Sequence, residues 1–225
     1  MKGDVVLIEE HHRRVATRIT QAISGRLQSK QGRFALSVAG ESGSGKSETA
    51  AALAEELGRR LFPAVVLGQD DYYVLPPRSN DARRRQDPDW LGPHAEVRLD
   101  LLQANVDSAL SGASSIEKPV IDYDANRVAT EELSLEGVKV VIAEGTYVSL
   151  LRNLDVRVFI ARNRVDTLAH REKRNRGSEV GDPFIERVLT VEHKIIAGHR
   201  HLADFVVTRG YDVFERDSGE GRSCR

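Results

Sequence analysis

The chain has 225 residues, a length that favours one domain with a single substantial core, and its formal net charge of −1 argues against nucleic acid or a membrane surface as the main partner. The one cysteine, Cys224, cannot form an internal disulfide bond, and the apolar run near the N-terminus is only four residues long, too short for a signal peptide. No stretch approaches the ~20 apolar residues of a membrane span, so we expect a cytoplasmic, enzyme-sized domain.

The first predicted element is a helix over residues 9–29. His11 and His12, near its start, are adjacent and therefore point to different faces, and we interpret them as solvated side chains. A short apolar run over residues 34–39 then predicts a buried strand. The helix assignment rests on apolar residues that recur every fourth position: Val15, Ile19, Ile23 and Leu27.

Residues 40–47 have the sequence GESGSGKS, a full match to the phosphate-loop pattern G-x-x-x-x-G-K-[ST]. The loop lies between the predicted strand and a run of helix formers over residues 48–57, which is the context that the motif requires. Its glycines let successive N–H groups point at an anion, and the helix N-terminus adds positive potential there. Lys46 should reach the β- and γ-phosphates, and the Ser47 hydroxyl should help to hold Mg²⁺. The sequence therefore predicts an ATP site made of eight consecutive residues: Gly40, Glu41, Ser42, Gly43, Ser44, Gly45, Lys46 and Ser47.

Residues 64–68 predict a second buried strand, which leads directly to Asp70 and Asp71. In parallel α/β sheets, functional groups collect at the carboxyl ends of the strands. We therefore expect this pair of carboxylates to face the phosphates held by the loop. Aspartates that cap an ordinary turn are the alternative.

Residues 75–93 are rich in proline, arginine and aspartate and are predicted to be a long loop. Within it, Trp90 could wall a substrate pocket or pin the loop to the core, and the sequence does not choose between these roles. Arginines 83–85 could attract an anionic substrate, although a solvated charge run is the simpler interpretation. A helix over residues 95–111 and an extended segment over 115–123 follow.

Residues 138–143 form the most strand-like run of the chain and end at Glu144, the position from which a Walker-B carboxylate orients Mg²⁺. A glutamate that starts a helix is the alternative. A further strand over residues 156–160 precedes a basic segment in which Arg171 and Arg174 would share one helix face. With the phosphate loop present, that segment is interpreted as a lid; without the loop it would be a solvated basic helix.

The last predicted elements are a helix over residues 183–200 and a strand over 204–208, followed by a polar tail at 216–225. We interpret the whole as one domain over residues 1–215, with its core at 34–214. Three histidines in this part lack a carboxylate or cysteine at ligand spacing and are interpreted as surface residues: His193, His199 and His201.

In their order and spacing, these segments resemble the uridine kinase and phosphoribulokinase family of P-loop kinases over roughly residues 34–214. VVLGQDDYY is similar to the family's strand followed by Q-D-S-F-Y, and KPVIDYDANR to its P-x-Y-D-F hairpin. VVIAEGTYVSLL resembles its strand with E-G, and HREKRNRG its R-R-x-x-R-D lid. The resemblance implies a P-loop NTPase-type three-layer α/β/α fold with a mostly parallel central sheet and a helical lid.

The same resemblance implies an ATP-dependent kinase that phosphorylates a hydroxyl of a small metabolite. It places Asp70 at the catalytic aspartate, where it would accept the hydroxyl proton and help Ser47 and Glu144 to hold Mg²⁺. Lys46 and the lid arginines, Arg171 and Arg174, would offset phosphate charge. Kinases of this kind often associate, which leaves a homo-oligomer open. The acceptor is expected to contact the tyrosine after the second strand, the tryptophan of the long loop and residues of the hairpin: Tyr73, Trp90, Tyr123, Asn126 and Arg127.

Three departures from the family pattern fall on the lid and the substrate side. The lid aspartate is Asn175, and the family's D-x-P-x-A is LGPHA at residues 91–95, so its first acid is missing unless Asp89 substitutes. Where pyrimidine-specific members have a histidine after the hairpin tyrosine, the nearest match is Asn126. Phosphoryl transfer is expected, but uridine is not specified as the acceptor.

Two other functions stay open at the level of sequence. One is a kinase of an anionic acceptor such as a sugar phosphate, with Arg78 and arginines 83–85 as contacts. The other is a nucleotide-gated regulatory ATPase with no acceptor. The chain contains neither the N-K-x-D signature of a GTPase nor a stretch like L-S-G-G-Q of a transporter ATPase.

Overall fold

The computed structural model describes residues 6–162 and 182–216. Within these ranges the helices are α1 (Glu10–Ser29), α2 (Lys46–Arg59), α3 (Pro77–Gln86), α4 (Leu99–Leu110) and α5 (Pro183–Ile196). The strands are β1 (Phe34–Gly40), β2 (Ala64–Gly68), β3 (Ser115–Asp122), β4 (Arg127–Ser134), β5 (Val140–Gly145), β6 (Val156–Ile160), β7 (Phe205–Val207) and β8 (Val213–Glu215). Short 3₁₀ turns cover Gln69–Tyr72, Pro88–Trp90, Val148–Leu150 and Ala197–Leu202.

In the part of the chain that the structure describes, the central sheet has six strands in the order β2-β5-β1-β6-β7-β8, and only β8 runs antiparallel to its neighbour. Glu144 of β5 lies opposite Val38 of β1 and Gly68 of β2. The carboxyl ends of these three strands therefore meet at one edge of the sheet. Strands β3 and β4 form a separate antiparallel hairpin.

The middle of the central sheet is buried on both faces, because every residue of β1 is buried. Leu36 and Val38 pack into a core with α1 and α2, whereas Ala35 and Ala39 pack into a second core with α4 and the end of α5. A strand buried on both faces has a nearly continuous apolar sequence, and in β1 only Ser37 interrupts it. The predicted three-layer α/β/α fold with a mostly parallel sheet is confirmed. Among the described residues, no helix is long and apolar enough to cross a bilayer.

The strands at 64–68 and 156–160 match their predicted bounds, but the segment at 75–93 is not a long loop. It contains α3 and a 3₁₀ turn. Helix α3 has no apolar stripe for periodicity to detect; it begins with a proline in the first turn, and its one buried residue is the polar Asn80. Nor does apolar periodicity mark β4 and β8, because most of their residues are partly or fully exposed.

The interpretation of His12 as a solvated side chain is wrong. His12 is fully buried, and its Nδ1 accepts a hydrogen bond from the Glu9 backbone N–H at 3.1 Å. Its ring lies edge-on to Tyr211, with ring centroids 5.3 Å apart. Arg171, Arg174 and the rest of the predicted lid fall outside the described residues, as does the tail beyond Arg216.

Candidate active site

The loop between β1 and α2 depends on glycine at three positions. Gly43 and Gly45 have φ of 77° and 95°, values that side-chain-bearing residues rarely adopt. A Cβ on Gly40 would lie 2.7 Å from Ser44 Oγ and 3.0 Å from the Ile160 carbonyl oxygen, so only glycine allows the loop to pack against β6. The first N–H groups of α2 have no intrahelical acceptor, and they point out of the helix at the end of this loop.

Lys46 and Ser47 start α2 on the side of the loop that faces β5. Lys46 Nζ lies 3.4 Å from the Glu41 carbonyl oxygen, and Ser47 Oγ donates to Glu144 Oε2 at 3.3 Å. Gly68, opposite Glu144, leaves room for this carboxylate, because a Cβ there would be 3.1 Å from Glu144 Oε1. A hydroxyl and a carboxylate are thus brought together beside the loop.

The Glu144 carboxylate is partly buried and lies in the field of Lys46 and Asp70. Burial raises the pKa of Glu144 to about 7; the Lys46 charge opposes the rise, and the Asp70 charge adds to it. Ser47, Glu144 and Asp70 supply the hard oxygen atoms that Mg²⁺ prefers, and the usual Mg²⁺ site takes only one or two carboxylates beside phosphates and waters. These residues therefore fit a Mg²⁺ ion.

The raised pKa predicts how stability depends on pH in metal-free protein. Folded Glu144 keeps its proton up to its raised pKa of about 7, whereas in the unfolded chain the same carboxyl loses its proton above its ordinary pKa of 4.5. The unfolded state therefore gains stability relative to the folded state as pH rises through this window. From pH 4 to pH 8, Glu144→Gln should therefore gain roughly 2–3 kcal/mol in unfolding free energy relative to the unmodified protein. Urea denaturation in EDTA measures this difference. The exposed control Glu136→Gln should track the unmodified protein, and parallel curves for Glu144→Gln would contradict the assignment.

The two adjacent aspartates after β2 have different surroundings. Asp71 is buried; its Oδ2 accepts from Lys118 Nζ and its Oδ1 from the Ile121 N–H, both at 3.0 Å, so it ties the hairpin to the turn. The expectation that both carboxylates face the phosphates is therefore wrong for Asp71. Asp70 is partly exposed, and its charge raises the pKa of Glu144. It accepts no hydrogen bond from the described residues. Asp70 alone of the pair is placed to act as a base.

A network of polar side chains surrounds Tyr73, the residue that follows the turn with Asp70. We call this group the wall; its members are Tyr73, Asn80, Arg84, Trp90 and Glu96. Glu96 is fully buried and accepts from Arg84 Nε at 2.6 Å and from Asn80 Nδ2 at 3.1 Å. Trp90 Nε1 donates to Asn80 Oδ1 at 2.7 Å, so Trp90 pins this segment in place. The Arg84 guanidinium lies over the Tyr73 ring, 5.7 Å from its centroid. Tyr73 and Trp90 thus belong to one wall, where they remain predicted acceptor contacts.

The run of arginines 83–85 divides between this wall and the surface. The Arg84 side chain is 13% exposed, whereas Arg83 pairs with Asp87 on the surface and Arg85 pairs with Asp182. Arg84 is therefore the buried arginine of the three, whereas the exposed Arg83 guanidinium lies over the Trp90 ring, 5.4 Å from its centroid.

The tip of the β3–β4 hairpin lies against the start of α3. The Asn126 side chain accepts from the Arg78 N–H at 2.9 Å, which satisfies a donor of the first helical turn. Tyr123 is 39% exposed, and Arg127 lies on the surface, 3.9 Å from Asp122. These three side chains are available at the tip, and their contact with an acceptor stays a prediction.

Two functional candidates escaped the sequence reasoning. Gln69 is fully buried and accepts from the Tyr147 N–H at 2.7 Å; a Cβ on Gly145 would clash with it at 2.3 Å. Glu192 of α5 reaches the phosphate loop. A signal for Glu192 was present, because this acid occupies a core position in the apolar stripe of α5 otherwise formed by Val188, Leu189 and Ile196.

Comparison with known proteins places this site in a family. The Phosphoribulokinase / Uridine kinase family matches residues 35–210. The bifunctional alpha-galactosidase/sucrose kinase AgaSK of Mediterraneibacter gnavus is 26% identical over 197 residues, which are 83% of this chain but only 21% of that longer protein. A uridine kinase of Geobacillus sp. (strain WCH70) is 29% identical over 78% of this chain and 85% of its own length.

Solved structures give the same fold. A candidate fructose transport system kinase from Silicibacter sp. TM1040 superposes with a TM-score of 0.61 at 21% identity, covering 84% of this chain and 93% of that one. The family match extends from β1 past β7, so it includes the phosphate loop and the strand ends that carry Asp70 and Glu144. The chain therefore belongs to the phosphoribulokinase / uridine kinase family, and it is a small-molecule kinase.

Proposed function

We propose that this protein transfers the γ-phosphoryl group of ATP to a hydroxyl of an uncharged sugar or nucleoside. The observation that carries the proposal is the placement of Asp70 and Glu144 at the ends of neighbouring strands, beside the loop at residues 40–47. The Glu144 carboxylate accepts a hydrogen bond from Ser47 of the loop, and the Asp70 carboxylate is available to accept a proton. The names of two relatives, a sucrose kinase and a uridine kinase, support an acceptor with sugar hydroxyls.

In the proposed reaction, the acceptor hydroxyl oxygen forms a bond to the γ-phosphorus, and the bond from that phosphorus to the β–γ bridging oxygen breaks to release ADP. Asp70 takes the hydroxyl proton. Lys46 and the loop N–H groups hold the phosphates in line, so positioning and charge neutralisation supply most of the rate. Ser47 and Glu144, with Asp70, would hold Mg²⁺, which offsets phosphate charge when bound.

The preference for an uncharged acceptor rests on Arg84. This arginine is the buried member of its run, and it is already neutralised by the fully buried Glu96. A sugar phosphate would need a cation without such a partner. Arg83 and Arg85 pair with acids near the surface. This leaves Arg78, whose guanidinium contacts the Asp124 carbonyl oxygen at 3.5 Å, as the remaining candidate contact for an anionic acceptor.

ADP release measured with and without a panel of acceptors tests the proposal. The panel contains sucrose, fructose, uridine, cytidine, ribulose 5-phosphate, glycerate and pantothenate. We expect at least one uncharged sugar or nucleoside to raise ADP release about tenfold or more above the rate without acceptor. Hydrolysis that ignores the acceptor would instead indicate a regulatory ATPase, and a response to anions alone would indicate an anionic acceptor. An Asp70→Asn preparation, purified in the same way, controls for contaminating kinases.

A further inference from the structure

Helix α5 makes a direct contact with the phosphate loop through a carboxylate. The Ser42 N–H donates to Glu192 Oε1 at 2.7 Å, and Ser42 Oγ donates to Glu192 Oε2 at 3.0 Å. Glu192 is 6% exposed, so both oxygens of a buried carboxylate are engaged by one residue of the loop. Such charge-assisted hydrogen bonds are roughly twice as strong as neutral ones and fix the geometry of both partners.

The adjacent residues of both elements make a second contact. His193 Nδ1 lies 2.6 Å from Glu41 Oε1, and the Glu41 side chain is itself buried. Two consecutive residues of the helix therefore hold two consecutive residues of the loop. These two contacts hold Glu41 and Ser42, which lie in the part of the loop before Gly43 and outside helix α2.

The other end of α5 is attached to the wall that carries Arg84. Arg85 of α3 pairs with Asp182 at 3.1 Å, and its guanidinium lies 3.8 Å from the centroid of the Phe184 ring. Helix α5 thus extends from the predicted acceptor wall to the phosphate loop. Anchored at both ends, it can hold Ser42 in a fixed place.

A buried carboxylate at the position of Glu192 is energetically unfavourable. Burying it next to a site for a polyanion costs free energy that an apolar residue in the same stripe would avoid. Burial raises the pKa of Glu192, and the Lys46 charge opposes that rise. The two hydrogen bonds from Ser42 offset this cost, and an apolar side chain could not accept a hydrogen bond from the loop N–H.

We infer that Glu192 is a positioning residue for ATP: by holding Ser42, it keeps the loop in the shape in which its N–H groups and Lys46 converge on the β- and γ-phosphates. The inference rests on the proposed nucleotide site and adds a residue to it. It assigns Glu192 no contact with the acceptor and no part in the proton transfer.

The test compares two substitutions of Glu192 by titration calorimetry with MgATP and by steady-state kinetics. Glu192→Ala removes both hydrogen bonds and should weaken ATP binding about tenfold, the effect expected for a charge-assisted hydrogen bond. Glu192→Gln should stay within about threefold of the unmodified protein, because its carboxamide can accept from the Ser42 N–H and donate to Ser42 Oγ. Ser42→Ala, which keeps the N–H bond to Glu192 and loses the Oγ bond to it, should fall between them.

A structural defect is separated from positioning by the kinetics. Positioning raises KM for ATP and leaves KM for the acceptor unchanged, whereas partial unfolding lowers the active fraction without moving either KM. Glu55→Gln is the matched control, since Glu55 lies on α2 but faces solvent and pairs with Arg13. It should bind ATP as the unmodified protein does.

Four results would overturn the inference. Equal weakening by Glu192→Gln and Glu192→Ala would mean that charge, not geometry, matters. Unchanged binding in both would mean that the contact is inert, and tighter binding would mean that Glu192 competes with phosphate. If Glu192→Ala does not fold, then Ser42→Ala decides, with unchanged affinity counting against the inference. Failure of the unmodified protein to bind ATP would instead overturn the nucleotide site and the proposed function with it.

Discussion

Asp70→Asn should lower turnover by ~10²–10⁴-fold while ATP affinity is retained, because general-base assistance contributes about that factor and an amide cannot accept the acceptor's proton. Asp70 follows β2, lies near Glu144, and accepts no hydrogen bond from the part of the chain that the structure describes, so asparagine fits there without breaking a contact. The measurements are kcat with the best acceptor of the panel and the Kd for MgATP. Turnover at the unmodified level would remove Asp70 from this role.

Asp71→Asn is the matched control for that experiment, since it makes the same change one residue later. Asp71 lies in a buried ion pair with Lys118, whose side chain is 7% exposed. Removing one partner of such a pair leaves the other charge buried without its partner, so the unfolding free energy should fall by up to about 3–5 kcal/mol. Where the variant is folded, kcat should change far less than in Asp70→Asn. The reverse ranking would mean that the roles of the two aspartates are exchanged.

Lys46→Ala should weaken both ATP binding and turnover, with kcat reduced by about 10²–10³-fold, as when one preorganised electrostatic contact to the transition state is removed. Lys46 begins α2, and its Nζ lies near the Glu41 carbonyl oxygen of the loop. Its charge lowers the pKa of both Glu144 and Glu192, against the rise that burial causes. Calorimetry with MgATP and steady-state rates measure the two effects separately.

Lys30→Ala is the control for Lys46→Ala. Lys30 follows α1 and pairs with Asp155 at the surface, and such surface pairs contribute little to stability. This variant should bind ATP and turn over normally. ATP affinity and rate at the unmodified level in Lys46→Ala would show that residues 40–47 do not hold the phosphates.

The fold was predictable because its central strands carry a strong local signal. Strand β1 is buried on both faces and is apolar except for Ser37, and the glycines after it permit the φ values seen at Gly43 and Gly45. Glu144 could be located because it ends the most apolar run, and parallel strands bring such ends together. Local pattern and tertiary structure agree at these positions.

The acceptor wall was not predictable, because its contacts are polar and distant in sequence. Arg84 is one of three consecutive arginines, and only the folded chain shows that it is the one paired with Glu96. Helix α3 is held by such pairs rather than by an apolar face, so periodicity does not detect it. Glu192 lies 150 residues from Ser42 in sequence, a separation that no local pattern spans.

A crystal structure with a non-hydrolysable ATP analogue and Mg²⁺ would give the distances from the γ-phosphorus to Asp70 and from the metal to Ser47 and Glu144. We expect the triphosphate along residues 43–47, the metal bound at Ser47 and Glu144, and the Asp70 carboxylate on the open side of the γ-phosphate. A nucleotide bound elsewhere, or an Asp70 side chain directed away from the γ-phosphate, would contradict this expectation.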